Sequence, residues 1–259
     1  MRTDTRIYML TIALICSLTA CTQHIYAPAL YKADAAYQFK PMSSDSIKSA
    51  NYVQGGIYFG SGVELQDNIF LTNLSFSHAT TYQHFAVAYG GYGFLGRYKN
   101  YALDDNDPTY FGVKSISGFG LRTSVDYYHA EGKKDYRVGL EGFYSKEFGD
   151  YANFRRTKMG STDIYTDPNT SLFTIGIAAE EITKWTKNPQ IQDGYRFFAG
   201  AAIGEQFRNA AGASAVYNSV FLYKNLFVSA AYALKFHKAL FVIDYQDLSS
   251  VSFTLGYTL

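Results

Sequence analysis

From Val251 to Leu259 the chain alternates apolar residues with small or polar ones, without exception. Successive side chains of a β-strand point to opposite faces, so Val251, Phe253, Leu255, Tyr257 and Leu259 share one apolar face, and Ser252, Thr254, Gly256 and Thr258 share the other. The same period of two recurs from about residue 51. It predicts strands over 51–64, 68–79, 83–95, 115–128, 135–148, 171–184, 194–207, 215–224, 226–236, 238–247 and 250–259. Near 195–206, Tyr195, Phe197, Ala199, Ala201 and Ile203 oppose Arg196, Phe198, Gly200, Ala202, Gly204 and Gln206. In 68–79 and 215–224, apolar residues occupy both phases.

Most of these segments reach the roughly 9–11 residues that a tilted strand needs to cross a bilayer. Beyond the N-terminal segment, no stretch is long and apolar enough for a spanning helix. A sheet in lipid must close, because open edges leave backbone groups unpaired. The expected fold is therefore all-β: an antiparallel transmembrane β-barrel. Connections 96–114 and 149–170 are long and polar, while 80–82, 129–134 and 225 are short, as when long loops lie on one side and tight turns on the other. Eleven segments conflict with the even strand number of bacterial single-chain barrels. A twelfth strand near Ala35–Lys40, or one false split, leaves about 10–12 strands.

The N-terminus carries Arg2 and Arg6 before an apolar run from Ile7 to Leu18, which ends at Leu18-Thr19-Ala20-Cys21. A basic start, a short apolar run and small residues describe a secretory signal peptide over 1–20. Residues 21–49, with Pro28, Pro41 and Ser43-Ser44-Asp45-Ser46, show no sustained period and read as a tether. The barrel then covers 50–259. The two cysteines, Cys16 and Cys21, both precede it, so the body can hold no disulfide framework. With 23 lysines and arginines against 22 acids, there is no electrostatic case for nucleic acid. No cofactor is implied.

Composition sharpens the picture. There are 24 tyrosines and 20 phenylalanines against one tryptophan, and rings with a polar tip suit the headgroup level of a bilayer. If the apolar phase faces lipid, the opposite phase places Gln54, Glu64, Arg122, Asp126, Arg137, Glu141, Glu180, Arg196, Glu205, Lys235 and Asp244 toward the interior. These charges either pair across a narrow lumen and seal it, or line a solvated path that selects solutes. Glycines in that phase, among them Gly118, Gly120, Gly139 and Gly200, make room for neighbouring rings.

Other patterns carry less. Gly91-Tyr92-Gly93-Phe94-Leu95-Gly96 matches the dinucleotide string, but no helix pattern follows to receive a pyrophosphate. Asp104-Asp105-Asn106-Asp107 offers oxygen ligands for Ca²⁺ without the glycine and distal glutamate of an EF-hand, so it reads as a hydrated turn. No histidine pair has metal-ligand spacing. Ser75 and Ser77 share a face that His78 does not, which argues against a hydrolase constellation; no catalytic or metal residue is assigned. Arg155, Arg156 and Lys158 form a small basic cluster on the second long loop, where lipopolysaccharide phosphates are conceivable partners.

Leu18-Thr19-Ala20-Cys21 resembles a bacterial lipobox. With the alternating strands and Tyr257 at the antepenultimate position, the chain resembles the small Gram-negative outer-membrane β-barrel lipoproteins, a type that includes Bacteroidota proteins. The resemblance implies cleavage before Cys21, acylation of Cys21 (palmitate or a similar chain) and insertion of the barrel in the outer membrane, in contact with membrane lipid and lipopolysaccharide. Leu259 departs from the usual terminal Phe or Trp. Thr22-Gln23-His24-Ile25 lacks the acidic run of surface-export signals, which places the lipid in the periplasmic leaflet. The expected role is non-enzymatic: an accessory subunit of an envelope complex, with protein partners, or a narrow channel. Its rivals are a lipid-anchored soluble barrel binding an apolar ligand, and a barrel enzyme acting on lipid or lipopolysaccharide. A Cys21→Ser chain separates the first two. The integral barrel stays in the membrane until detergent is added, whereas a soluble domain is released to the aqueous fraction.

Overall fold

The computed structural model describes residues 24–31, 33, 37–61, 67–100, 112–157, 164–203, 226–246 and 250–259. Residues 1–20, expected as a signal peptide, and Cys21 lie outside the described residues. In chain order the elements are β1 (His24–Tyr26), β2 (Ser49–Gly60), β3 (Asp67–Thr81), β4 (Phe85–Asn100), β5 (Lys114–Glu131), β6 (Lys134–Phe148), α1 (Asp150–Thr157) and β7 (Ile164–Thr166). There follow β8 (Ser171–Lys184), β9 (Ile191–Ile203), β10 (Leu226–Phe236), β11 (Ala239–Gln246) and β12 (Ser250–Thr258).

Ten of these strands close into one antiparallel barrel in the order β10-β11-β12-β2-β3-β4-β5-β6-β8-β9. The seam joins β2 to β12, from Tyr52↔Thr258 to Gly60↔Ser250. The one expected strand without a counterpart in the wall, 215–224, lies outside the described residues. The wall closes without it, because Ala201 of β9 pairs directly with Leu226 of β10. An even strand number results.

Alternation gives the barrel its two faces. Leu121 is 61% exposed and its neighbour Arg122 is 4% exposed. Leu74, Phe76, Val138, Leu140, Ile177, Phe197, Val228 and Leu255 point outward as an apolar band. Tyr82, Phe85, Tyr89 and Tyr127 add exposed rings toward one rim. On β4 and β5, Tyr92 pairs with Gly120 and Phe94 with Gly118. Each ring lies across the glycine opposite, so a Cβ at either position would overlap it.

The ends differ. At one, tight turns join β3 to β4, β5 to β6 and β10 to β11; the last uses His237 with φ 54°. At the other lie the long connections. The link 149–170, expected as a polar loop, contains α1 and β7. Gly149 (φ 101°) turns the chain into α1, whose first amide, that of Asp150, donates to Ser115 Oγ at 3.1 Å. Arg155 and Arg156 sit at its C-terminal end, where the helix dipole favours cations. Eight residues span little more than two turns, too short a window for a helical period to stand out. The helix is held by burying Tyr151, Ala152 and Phe154 in the barrel mouth.

The segment expected as a tether is also placed differently. Every described side chain from Tyr26 to Met42 is buried, and those side chains pack against inward residues of the wall. A chain enclosed on all sides, here turned by the Tyr31–Pro28 and Ala33–Leu30 backbone bonds, touches protein in every direction, so it needs no alternation. That is why no period was visible.

Replacing Gly120 by Val should drive two branches into the Tyr92 ring and cost about 1–3 kcal/mol by overpacking. Thermal unfolding of the detergent-folded barrel measures this. Gly91→Ala, where a Cβ finds ordinary contacts, should leave the transition nearly unchanged.

Candidate functional site

The interior is the candidate site, and the N-terminal segment is its main occupant. At the tight-turn end the segment is latched beside β2. Ser43 donates from its amide and hydroxyl to the Asp135 carboxylate at 2.7 and 2.5 Å. Asp45 meets Lys184 Nζ at 2.8 Å and accepts from the Met42 amide at 3.0 Å and Gln192 Nε2 at 2.9 Å. Burial alone would raise its pKa, but Lys184 and these donors outweigh that and hold the carboxyl below its ordinary value.

Deeper in, the Pro41 carbonyl accepts from Arg137 Nη2 at 2.7 Å and from Thr81 Oγ1 at 2.6 Å. Lys40 Nζ lies 2.7 Å from Asp126 Oδ2, with both side chains 3% exposed. Tyr37 and Phe39 pack edge to face, and Phe39 leans on Tyr52. These rings join Ala79, Ala88, Ala231, Ala233, Leu240 and Val242 in one apolar cluster.

Nearer the long connections, the Ala29 amide donates to Glu147 Oε2 at 2.7 Å, and Tyr151 OH donates to the Ala27 carbonyl at 2.8 Å. Asn100 Nδ2 donates to Tyr26 OH at 3.3 Å, and the Tyr26 ring packs on Tyr98 and Phe154. Finally β1 pairs in parallel with β7, His24↔Ile164 to Tyr26↔Thr166. The segment therefore runs the length of the barrel.

Around it the wall charges form connected pairs. Glu141 accepts from Arg196 Nη2 at 2.7 Å and Nε at 3.1 Å, and from Arg122. Arg137 meets Asp135 at 3.2 Å and Glu180 at 3.6 Å. Arg196 also lies 5.0 Å from the Phe198 ring centre and 5.9 Å from that of Tyr37. Asp244 accepts from Gln246 Nε2 at 2.7 Å. Burial is tolerable where a charge is met by an opposite charge or a hydrogen-bond partner, as at Glu141; Glu180 is less well served, since neither of its carboxylate oxygens accepts a hydrogen bond and Arg137 stands 3.6 Å away.

Of the residues picked from alternation, Arg122, Asp126, Arg137, Glu141, Glu180, Arg196 and Asp244 are all buried within this interior. Glu64 and Glu205 lie outside the described residues, as does the Asp104–Asp107 run. Asp135 and Glu147 were missed, although they share the phase of Arg137 and Glu141 on β6. Lys40 carried no signal, because nothing in its segment marks a face. Arg155 was read as part of a solvated basic cluster. It is instead fully buried, donating to the Asp167 and Asn169 carbonyls and pairing with Glu147 at 2.8 Å. Ser75 and Ser77 are buried, while His78 bonds Asn51 Oδ1 at 2.8 Å on the opposite face. Among the described residues no group of three or more His, Cys, Asp and Glu is placed to hold a metal.

Among the described residues, little space remains around the segment. Cavities beside Gln38 and Arg122, and beside Tyr37 and Ile182, are about 10 Å³ each, the size of one water at most. The larger space, about 460 Å³, opens at the tight-turn mouth between Asp45, Tyr52, Lys184, Gln192, Lys235 and Lys238.

A closed antiparallel wall, apolar outside and charged within, leaves no unpaired sheet edge and suits a bilayer. The fold is that of an outer-membrane β-barrel. No family model and no curated protein matches the chain. Among solved structures, an outer-membrane channel from Pseudomonas putida F1 is 7% identical, with 86% of this chain and all of that one covered and a TM-score of 0.44. The translocator domain of the autotransporter NalP from Neisseria meningitidis is 9% identical over 82% of this chain and 88% of that one, with a TM-score of 0.43. The β-domain of the Bordetella autotransporter BrkA is 9% identical over 82% and 99%, with a TM-score of 0.44. Likeness at this level carries no inference about activity.

Glu141 is the shared acceptor of two buried guanidinium groups, so Glu141→Ala should destabilise the barrel by about 3–5 kcal/mol, the cost of leaving buried charge uncompensated. Denaturant unfolding monitored by tyrosine and tryptophan fluorescence reads the loss. Exchanging an exposed pair such as Lys134–Glu181 should change it by less than about 1 kcal/mol.

Proposed function

We propose that this chain is a non-enzymatic integral barrel of the outer membrane, sealed by its own N-terminal segment and acting as a scaffold rather than a solute channel. The observation that carries the reading is the burial of every described side chain between Tyr26 and Met42, with the segment locked to the wall through Lys40–Asp126 and the Arg137–Pro41 bond. Lipid meets the apolar band outside. The long connections face the cell exterior, where lipopolysaccharide is the neighbouring surface, and the tight turns face the periplasm. Acylation of Cys21 would add a second attachment to the same membrane.

Two rivals fit less well. A soluble barrel that binds an apolar ligand needs a greasy cavity and a polar exterior; here the exterior is apolar and the interior holds paired charges. A barrel enzyme needs a nucleophile and base within reach, and Ser75 and Ser77 face away from His78. An accessory role in an envelope complex is compatible with a sealed scaffold, with protein partners meeting it at either end.

Conductance tests the proposal. The purified full chain, reconstituted in planar bilayers at neutral pH, should give no steady open level across moderate voltages. Stable, ion-selective openings from the unmodified chain would return the lumen to the role of a solute path.

A further inference from the structure

We propose that the chain crosses its own barrel, so that residues ahead of His24 emerge beside the long connections and Cys21, with any acyl group it carries, meets the outer leaflet. The inference rests on the outer-membrane reading above and adds the side on which the N-terminal end is displayed. It reverses the periplasmic placement suggested by the residues after Cys21.

Two fixed points set the direction. At the tight-turn end, the Lys48 carbonyl accepts from the Thr81 amide at 2.8 Å, and Ser43 is bound to Asp135, close to the turn at Gly132. At the other end, β1 pairs with β7 inside the long connection, and the Tyr26 carbonyl accepts from the Asp167 amide at 3.0 Å. Tyr26 also touches Tyr98 and Asn100, near the far end of β4, and Phe154 of α1. Between these points the described residues stay buried.

Reach then decides where Cys21 can be. It precedes His24 by three residues, which span roughly 11 Å when fully extended. The hydrocarbon core is about 30 Å thick. Cys21 therefore cannot return to the periplasmic leaflet while β1 stays paired. Nor can an acyl chain have followed the segment past its described contacts, where Lys40–Asp126 and the Pro41–Arg137 bond tie it to the wall and the gaps beside Gln38 and Tyr37 are about 10 Å³ each. The wall must close around the segment, and the β2–β12 seam, where the first and last strands of the wall meet, is where it would do so. The partner of the displayed end is the lipid of the outer leaflet.

Single cysteines test this, because none follows Cys21 in the sequence. Gln23→Cys is compared in whole cells with Arg156→Cys, exposed at the long-connection end, and Lys133→Cys, exposed at a tight turn. A membrane-impermeant maleimide is applied before and after the outer membrane is permeabilised. The signal of the parent chain is subtracted, and heat-dependent gel migration confirms that each variant is folded. The expected result is full labelling of Gln23→Cys and Arg156→Cys in intact cells, with labelling of Lys133→Cys lost until permeabilisation. Labelling of Gln23→Cys only after permeabilisation, in step with Lys133→Cys, overturns the proposal. If the two control positions label alike in intact cells, the outer-membrane orientation fails instead.

Discussion

A bilayer core offers no hydrogen-bond partners, so a sheet that enters it has to close on itself. Closing this one with ten strands creates a second demand, since the space enclosed must also be filled. Wall side chains alone do not fill it. Rings such as Tyr92 and Phe94 need glycines opposite them, and the described residues between Tyr26 and Met42 pack into the space between the walls. Closure and filling follow from one constraint.

Filling the interior with backbone and charge brings its own cost. Each buried carbonyl, amide or guanidinium on the segment or the wall needs a partner in the same confined volume. The partners are divided between the two. Lys40 comes from the segment and Asp126 from the wall; the Pro41 carbonyl comes from the segment and Arg137 from the wall. Glu141 ties two wall strands together by joining Arg122 of β5 to Arg196 of β9. Such pairs contribute little net stability over apolar packing, but each is satisfied at one register. Apolar clusters flank them, with Tyr26, Tyr98 and Tyr151 toward one end and Tyr37, Phe39 and Tyr52 toward the other.

The two ends do different work. At the tight-turn mouth, Asp45 is shared among Lys184, Gln192 and the Met42 amide, which fixes where the segment leaves the lumen. At the other mouth, α1 lies over the opening, and Arg155 gathers Glu147, Asp167 and Asn169 into one buried junction. A basic residue that reads as surface from its neighbours is there an internal brace.

The wall was legible in the sequence because a strand between lipid and interior repeats its environment every second residue. Strand limits such as 171–184 and 226–236 match the structure, and alternation alone selected Arg122, Glu141 and Arg196 as inward. The same rule contained Asp135 and Glu147, which were passed over. It could not reveal α1, whose eight residues are too few for a period, or the role of Arg155, set by carbonyls more than ten residues away. Least legible was the segment through the lumen, because a chain touched on every side has no exposed face for a pattern to mark. Local chemistry thus determined which residues face lipid and which face inward; only the closed wall decided what the interior would hold, since that depends on contacts between Lys40 and Asp126, or Ala29 and Glu147, that lie far apart in the chain.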